Sequence, residues 1–286
     1  MTNPEQLIAI AQETVDILKQ GFYQNQKGEV VSIKDDLLAA KTGSIHYFSD
    51  RFDEVFRERD RIAKIPIKTS FEVTNETTLH AASRLVNQAG IKKVLCLNFA
   101  SGKNPGGGFL RGTQAQEESL ARATGLYTCI AQMTDMYDAN RNLGSALYTD
   151  DMIYSPQVPV IRDDSDNFLD KPFLVSILTA PAVKVGEVRE KGNQEEIDRI
   201  ESTMFARTEK LLSIAAIGGY KVLVLGAWGC GVFKNNPENV ARYFYHHLVE
   251  NPQLNCFFEK VAIAVLDNSR DGATINIFRS IFSGIQ

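Results

Sequence analysis

The 286-residue chain has no run of 18 apolar residues, which excludes a conventional membrane-spanning helix. Its start, MTNPEQLIAI, lacks the basic residues and continuous apolar stretch of a secretion signal. Cysteine is scarce. Cys96, Cys129, Cys230 and Cys256 include no CxxC pair, so free thiols in a cytoplasmic protein are expected. The four histidines, His46, His80, His246 and His247, include no HExxH spacing. His246 and His247 are neighbours, and on a helix they would point about 100° apart. No metal centre built on cysteine and histidine is therefore expected, which leaves open only a hard cation held by carboxylates. A GxGxxG motif opening a helix is missing, which disfavours a dinucleotide oxidoreductase. GxxxxGK[ST] is missing too, which removes a Walker-type loop. With 31 basic and 35 acidic residues the net charge is -4, which argues against a nucleic-acid backbone as partner. What is present is 44% apolar and 9% aromatic, enough for a packed core without staples.

The hydrophobic pattern predicts an α/β protein. Residues 5–23 read as an amphipathic helix, in which Leu7, Ile8, Ile10, Ala11, Val15, Ile17 and Leu18 recur at roughly helical spacing. A short apolar segment at VVSI, a helix around DDLLAAK and a charged helix near 49–60 follow. Residues 1–70 are therefore expected to be an N-terminal helical accessory region, packed on a core of 71–286. In the core, FEVT, KKVLCLNF (92–99), FLVSILTA (173–180), KVLVLGA (221–227) and KVAIAVLD (260–267) read as strands. One or two further strands are expected within 146–160, and RDDSDNFLDKP reads as a polar loop. Helices are expected over 77–88, from Gln114 or Ala115 through Tyr127, over 194–217 ending at Gly218-Gly219, and from Asn236-Pro237 to about 249. Strands alternating with helices imply a three-layer α/β/α sandwich with a mixed or parallel sheet.

Two glycine-rich loops leave buried strands: Gly106-Gly107-Gly108 after 92–99, and Gly226, Gly229 and Gly231 after 221–225. Glycines at the carboxyl ends of such strands let backbone amides approach and hold phosphate oxygens. A ligand whose diphosphate bridges both loops fits this arrangement. Either cluster alone serves equally well as a tight turn. Glu117 and Glu118 follow Gln116 in the first turn of the next helix. Adjacent helical residues point about 100° apart, so one carboxyl can face a ligand while its neighbour turns to a supporting network. Such a carboxyl can give a proton to a leaving oxygen and take one from water. As ordinary first-turn acids, both would be favoured by the helix dipole alone. Trp228 reads as a core residue. For Phe233, core packing and a place beside the ligand stand equally.

The segment NFASGKNPGGGFLRGTQAQEE (98–118) resembles the signature of the microbial, bacterial-type poly(ADP-ribose) glycohydrolases: a triple glycine, a spacer of six to eight residues, then Gln-Glu-Glu. Here the spacer is FLRGTQA. YSPQVPVIRDD, TAPA and GAWGCGVFKN are also similar to that family, and the likeness runs over roughly residues 5–267. It implies a macrodomain-like fold with extra helices and release of ADP-ribose from its polymer. Glu118 would be the general acid/base, and Glu117 would orient the substrate by accepting from ribose hydroxyls. Gly106, Gly107 and Gly108 would form the catalytic loop, with Asn104 and Gln116 as further ligand contacts. Gly229, Cys230, Gly231 and Val232 would form the diphosphate loop, and Phe233 would pack beside the distal ribose. No cofactor is implied. The implied partner is ADP-ribose polymer or an ADP-ribosylated macromolecule, met by a monomer away from membranes. The same cradle would suit a hydrolase of single ADP-ribosyl groups on protein or nucleic acid, or a pure ADP-ribose binding module. The intact Gln116-Glu117-Glu118 set argues against the binder, which needs no acid.

Overall fold

The computed structural model describes residues 3–65 and 67–284. Two short strands, β1 (Phe22–Gln24) and β2 (Val30–Ser32), form a hairpin of their own. Seven others form the main sheet: β3 (Ile45–Tyr47), β4 (Ser70–Thr74), β5 (Val94–Ala100), β6 (Met152–Arg162), β7 (Phe168–Pro181), β8 (Val222–Gly226) and β9 (Lys260–Ala264). Their order is β3-β6-β7-β5-β8-β9-β4. β6 runs antiparallel to both its neighbours, β3 and β7, while β7, β5, β8, β9 and β4 are parallel neighbours, so the sheet is mixed.

Strand periodicity divides the core. Leu95 and Leu97 of β5, Leu223 and Leu225 of β8, and Val261 and Ile263 of β9 face one layer. That layer comprises helices Phe52–Arg61, Ile200–Ile217, Pro237–Tyr245 and Ala273–Phe282. Val94, Cys96, Val222, Val224, Ala262 and Ala264 face the other, built from helices Thr78–Ser83, Gln116–Ala123, Leu126–Ile130 and Thr134–Asn142. Both faces of the central strands are covered, which is why they read as near-continuous apolar runs. The result is a three-layer α/β/α sandwich. Among the described residues no helix is long and apolar enough to cross a membrane.

Several sequence expectations are refined. The first helix ends at Gln20, capped by left-handed Gly21. The helix expected to continue through Tyr127 stops at Ala123, because extended Thr124 bridges to Val160 of β6 and the Gly125 amide donates to Pro159. Residues 146–151 are loop, not strand. The polar loop is shorter than expected. β6 runs to Arg162 and β7 already begins at Phe168, leaving residues 163–167 as a hairpin turn. The long helix is divided at Arg199 into Gln194–Asp198 and Ile200–Ile217. Asn236 does cap the helix that begins at Pro237, accepting from the Glu238 and Asn239 amides. Residues 45–47, within the N-terminal segment, supply the edge strand β3 of the main sheet.

The N-terminal helix Pro4–Gln20 lies behind the first glycine loop. Ala11 shares a small apolar cluster with Phe109 and Ala121. Thr14 Oγ1 donates to the Arg122 carbonyl at 2.7 Å. At Gly112, in the left-handed region at φ +75°, a Cβ would lie 2.6 Å from the Pro4 carbonyl oxygen.

Candidate active site

β5 and β8 are hydrogen-bonded parallel neighbours, and each glycine loop leaves the carboxyl end of one of them. Between the loops lies a cleft of about 390 Å³. Its walls include Ser101, Asn104 and Gly107 on one side and Gly229, Val232 and Phe233 on the other. This is the place at which open α/β sheets bind ligands.

The first loop is internally tied. Gly107 N donates to Asn104 O at 2.9 Å, Phe109 N to Gly106 O at 3.2 Å and Thr113 N to Gly108 O at 3.2 Å. The Lys103 and Asn104 amides both reach Ser101 Oγ. Gly106 and Gly107 have φ of +70° and +61°, a region L side chains rarely adopt. The next helix supplies both acids to this loop. Glu118 Oε1 accepts from Gly108 N at 2.9 Å. A Cβ on Gly107 would collide with that same oxygen, so the loop closes against the carboxylate only because residue 107 is glycine.

Glu117 and Glu118 are buried, 3% and 7% exposed. Glu117 Oε2 accepts from Ser101 N at 2.6 Å, and its Oε1 from Asn98 Nδ2 at 3.2 Å. Asn98 Nδ2 also donates to Thr179 Oγ1 at 3.2 Å, its direct neighbour across β5 and β7. Burial pushes the Glu117 pKa up to about 8, against the Ser101, Asn98 and Gly106 donors that favour the ionised form; the nearby Glu118 adds to the rise. Burial thus favours the protonated form of Glu117, while the donors around it favour the carboxylate. Behind the pair, buried Arg122 donates to Thr113 O at 2.9 Å and so clasps the end of the loop.

The second loop is open where the first is closed. Cys230 N donates to Ala227 O and Lys234 N to Gly231 O, forming the turn. The Gly231, Val232 and Phe233 amides have no intramolecular acceptor among the described residues. Successive unpaired amides in a turn form a nest for anions. Gly229, at φ +74°, sits where a Cβ would meet Asn235 Nδ2 at 2.5 Å and Ala182 Cβ at 2.6 Å. Trp228 is fully buried, its Nε1 donating to Ala180 O at 3.0 Å.

Of the glycine-loop and acid positions singled out in the sequence, all but Gly106, Gly226 and Cys230 line the cleft, and Gly226 is the last residue of β8. Gly106 is buried behind it, against Phe109 and Ala121. Cys230 faces an adjoining groove, and burial lifts its thiol pKa to about 12. Gln116 borders the cleft, yet its amide serves the scaffold. Oε1 accepts from Phe99 N at 2.9 Å, and Nε2 donates to Leu97 O at 2.8 Å and Thr78 Oγ1 at 3.0 Å. With both N–H groups spent, it anchors the helix start to β5. Asn98, Ser101, Arg111, Thr113 and Arg122 were not singled out. Asn98 carried a signal, as a polar residue inside the apolar run VLCLNF; the others had none in the sequence.

Comparison with known proteins places this geometry. Residues 11–163 match the model of the microbial-type PARG catalytic domain. The structure of poly(ADP-ribose) glycohydrolase from Thermomonospora curvata is 38% identical, with a TM-score of 0.89 over 97% of this chain and 100% of that one. The chain belongs to the microbial-type poly(ADP-ribose) glycohydrolase family. The Thermomonospora curvata enzyme bound to the inhibitor ADP-HPD is 39% identical, with a TM-score of 0.87 over 96% of this chain and 99% of that one. The Deinococcus radiodurans enzyme in complex with ADP-ribose is 42% identical, with a TM-score of 0.81 over 87% of this chain and 98% of that one. No curated protein matches. The structural match extends over nearly the whole chain, beyond the residues that the family model matches.

Proposed function

We propose that this glycohydrolase cleaves the ribose–ribose O-glycosidic bond of poly(ADP-ribose), releasing ADP-ribose, with Glu118 as the general acid/base. The observation that carries the assignment of Glu118 is its buried carboxylate, held by the Gly108 amide and wrapped by Gly107 at the floor of the cleft. The two ends of ADP-ribose have two places to go. The distal ribose enters the end near Glu118, Asn104 and Phe233. The adenosine half follows an adjoining groove of about 700 Å³, which shares Phe99, Ala115, Ala227 and Gly231 with the cleft. The diphosphate then crosses the open amides of the second loop.

The reaction breaks the bond between C1 of the distal ribose and the hydroxyl oxygen of the next unit. Glu118 gives its proton to that departing oxygen as the bond to C1 lengthens. Positive charge develops on the ribose, beside the negative diphosphate. Water adds to C1 and returns a proton to Glu118, restoring the acid. Glu117, whose burial favours the protonated form, hydrogen-bonds the ribose hydroxyls and holds the sugar in place. Adjacent helical acids cannot flank the bond, so one residue serves both proton transfers, unlike the usual two-carboxylate arrangement.

Glu118→Gln preserves the side-chain oxygen that accepts from Gly108 and removes the transferable proton. The expected result is unchanged ADP-ribose affinity by calorimetry and a loss of about 10²–10⁴ in the rate of release from polymer. Undiminished release would remove Glu118 from the chemistry.

A further inference from the structure

Four lysines from three separate segments gather outside the catalytic end of the cleft. Lys184 pairs with Glu187 at 2.6 Å, and Lys191 approaches the same acid at 3.7 Å. Lys103, together with Lys184 and Lys191, lowers the Glu187 pKa, which brings it into the same cluster. Lys234 lies across the start of the helix Val185–Lys191. Its Cγ is 3.3 Å from where a Cβ on Gly186 would stand, and the Gly186 amide donates to Phe233 O at 3.1 Å. Lys103, Lys184 and Lys191 therefore act on one carboxylate, with Lys234 beside Gly186 of the same helix, on a chain whose net charge is -4. Their placement follows from the two loops. Lys103 precedes Asn104 and Lys234 follows Phe233, so each loop carries a cation next in sequence to a residue that lines the cleft. The groove at the other end is bordered by acids instead, Glu76, Asp164 and Asp267.

Resting on the polymer-hydrolase assignment above, we infer that this lysine rim is a second subsite, which binds the diphosphate of the polymer unit adjoining the one being released. The departing oxygen belongs to that adjoining unit, so the rest of the polymer must leave the cleft beside Glu118. There it meets Lys103 and Lys234, with Lys184 and Lys191 behind them. The acids bordering the opposite groove repel the same polyanion, so the charge asymmetry threads the chain in one direction. Free ADP-ribose, with a single diphosphate already held by the second loop, does not reach the rim.

The test is the double variant Lys184→Glu/Lys191→Glu, with Lys184→Arg/Lys191→Arg as the charge-preserving control, both outside the two loops. Hydrolysis of purified ADP-ribose polymer is measured at about 50 mM and about 500 mM salt, beside calorimetry with free ADP-ribose. At low salt KM for polymer should rise roughly tenfold in the Glu variant and stay at the wild-type value in the Arg variant. The difference should shrink at high salt, because exposed charge pairs are screened. The kcat and the affinity for free ADP-ribose should not move. An unchanged KM at low salt would overturn the second subsite, as would a parallel loss of ADP-ribose affinity. Wild-type protein inert on polymer would overturn the functional assignment beneath it, a failure read before any variant is made.

Discussion

The two glycine loops stand side by side on neighbouring strands and are built in opposite ways. The loop after β5 satisfies itself. Its amides bond to its own carbonyls, to Ser101 and to Glu118, and the N-terminal helix braces it from behind. The loop after β8 keeps three successive amides without an internal acceptor. One loop is closed around a carboxylate and the other is open toward an anion. The first is suited to holding an acid still and the second to gripping a charged ligand, so changes in the first should appear in turnover and changes in the second in affinity.

The largest break in that comparison is expected from Gly107→Ala. The new methyl would occupy the space of Glu118 Oε1 at a φ of +61°. Displacing the acid by about 1 Å should lower kcat by about 10²-fold. ADP-ribose affinity should fall much less, which steady-state kinetics and calorimetry separate. Gly229→Ala tests the other loop. At φ +74°, with Asn235 and Ala182 in the way, the turn must shift at a cost of about 1–3 kcal/mol. Affinity for ADP-ribose should drop by about tenfold or more, with kcat at saturation less affected. Loss of kcat alone in this variant would erase the division of labour.

A smaller effect concerns the pH dependence of stability. The Glu117 pKa is raised from 4.5 to about 8 in the folded protein, mainly by burial. Between those values the folded protein keeps a proton that the unfolded chain releases, so the contribution of this residue to stability falls as pH rises. Urea unfolding from pH 5 to pH 8 should show wild type losing stability relative to Glu117→Gln; parallel curves would place the proton elsewhere. The smallest effect belongs to Gly231→Ala. Nothing lies within 4 Å of its added methyl, so ADP-ribose affinity should stay within about twofold of wild type. Beside Gly229→Ala, it separates the geometry of the second loop from its glycine content.

The sheet was legible for a physical reason. β5, β8 and β9 are covered on both faces, and each announces itself as an apolar run ending near glycine or a polar turn. Local capping chemistry was legible too, at Asn236-Pro237, while Thr77, read as the first helical residue, is the cap that accepts from His80 N. What escaped depends on distant partners. Thr124 leaves helical geometry because β6 offers it a bridge, and no local pattern reveals that. Pro172 and its polar neighbours read as loop, yet they begin β7 as the partner of a bulged β6. In the candidate site the acids and glycines were visible as a motif. The distribution of tasks within it was not: Gln116 looks like a ligand contact until its amide is traced to Leu97, Phe99 and Thr78. The support given by the N-terminal helix through Ala11, Thr14 and the Pro4 carbonyl is invisible in one dimension, because those contacts span about a hundred residues.

Because β5 and β8 share a ladder of backbone bonds, the roots of the two loops stand one strand spacing apart, about 4.8 Å. The gauge of the jaw is thus inherited from main-chain geometry and needs no hinge to set it. Evolution can exchange the teeth, lysines at the rim or acids along the far groove, while the opening between the roots keeps its width.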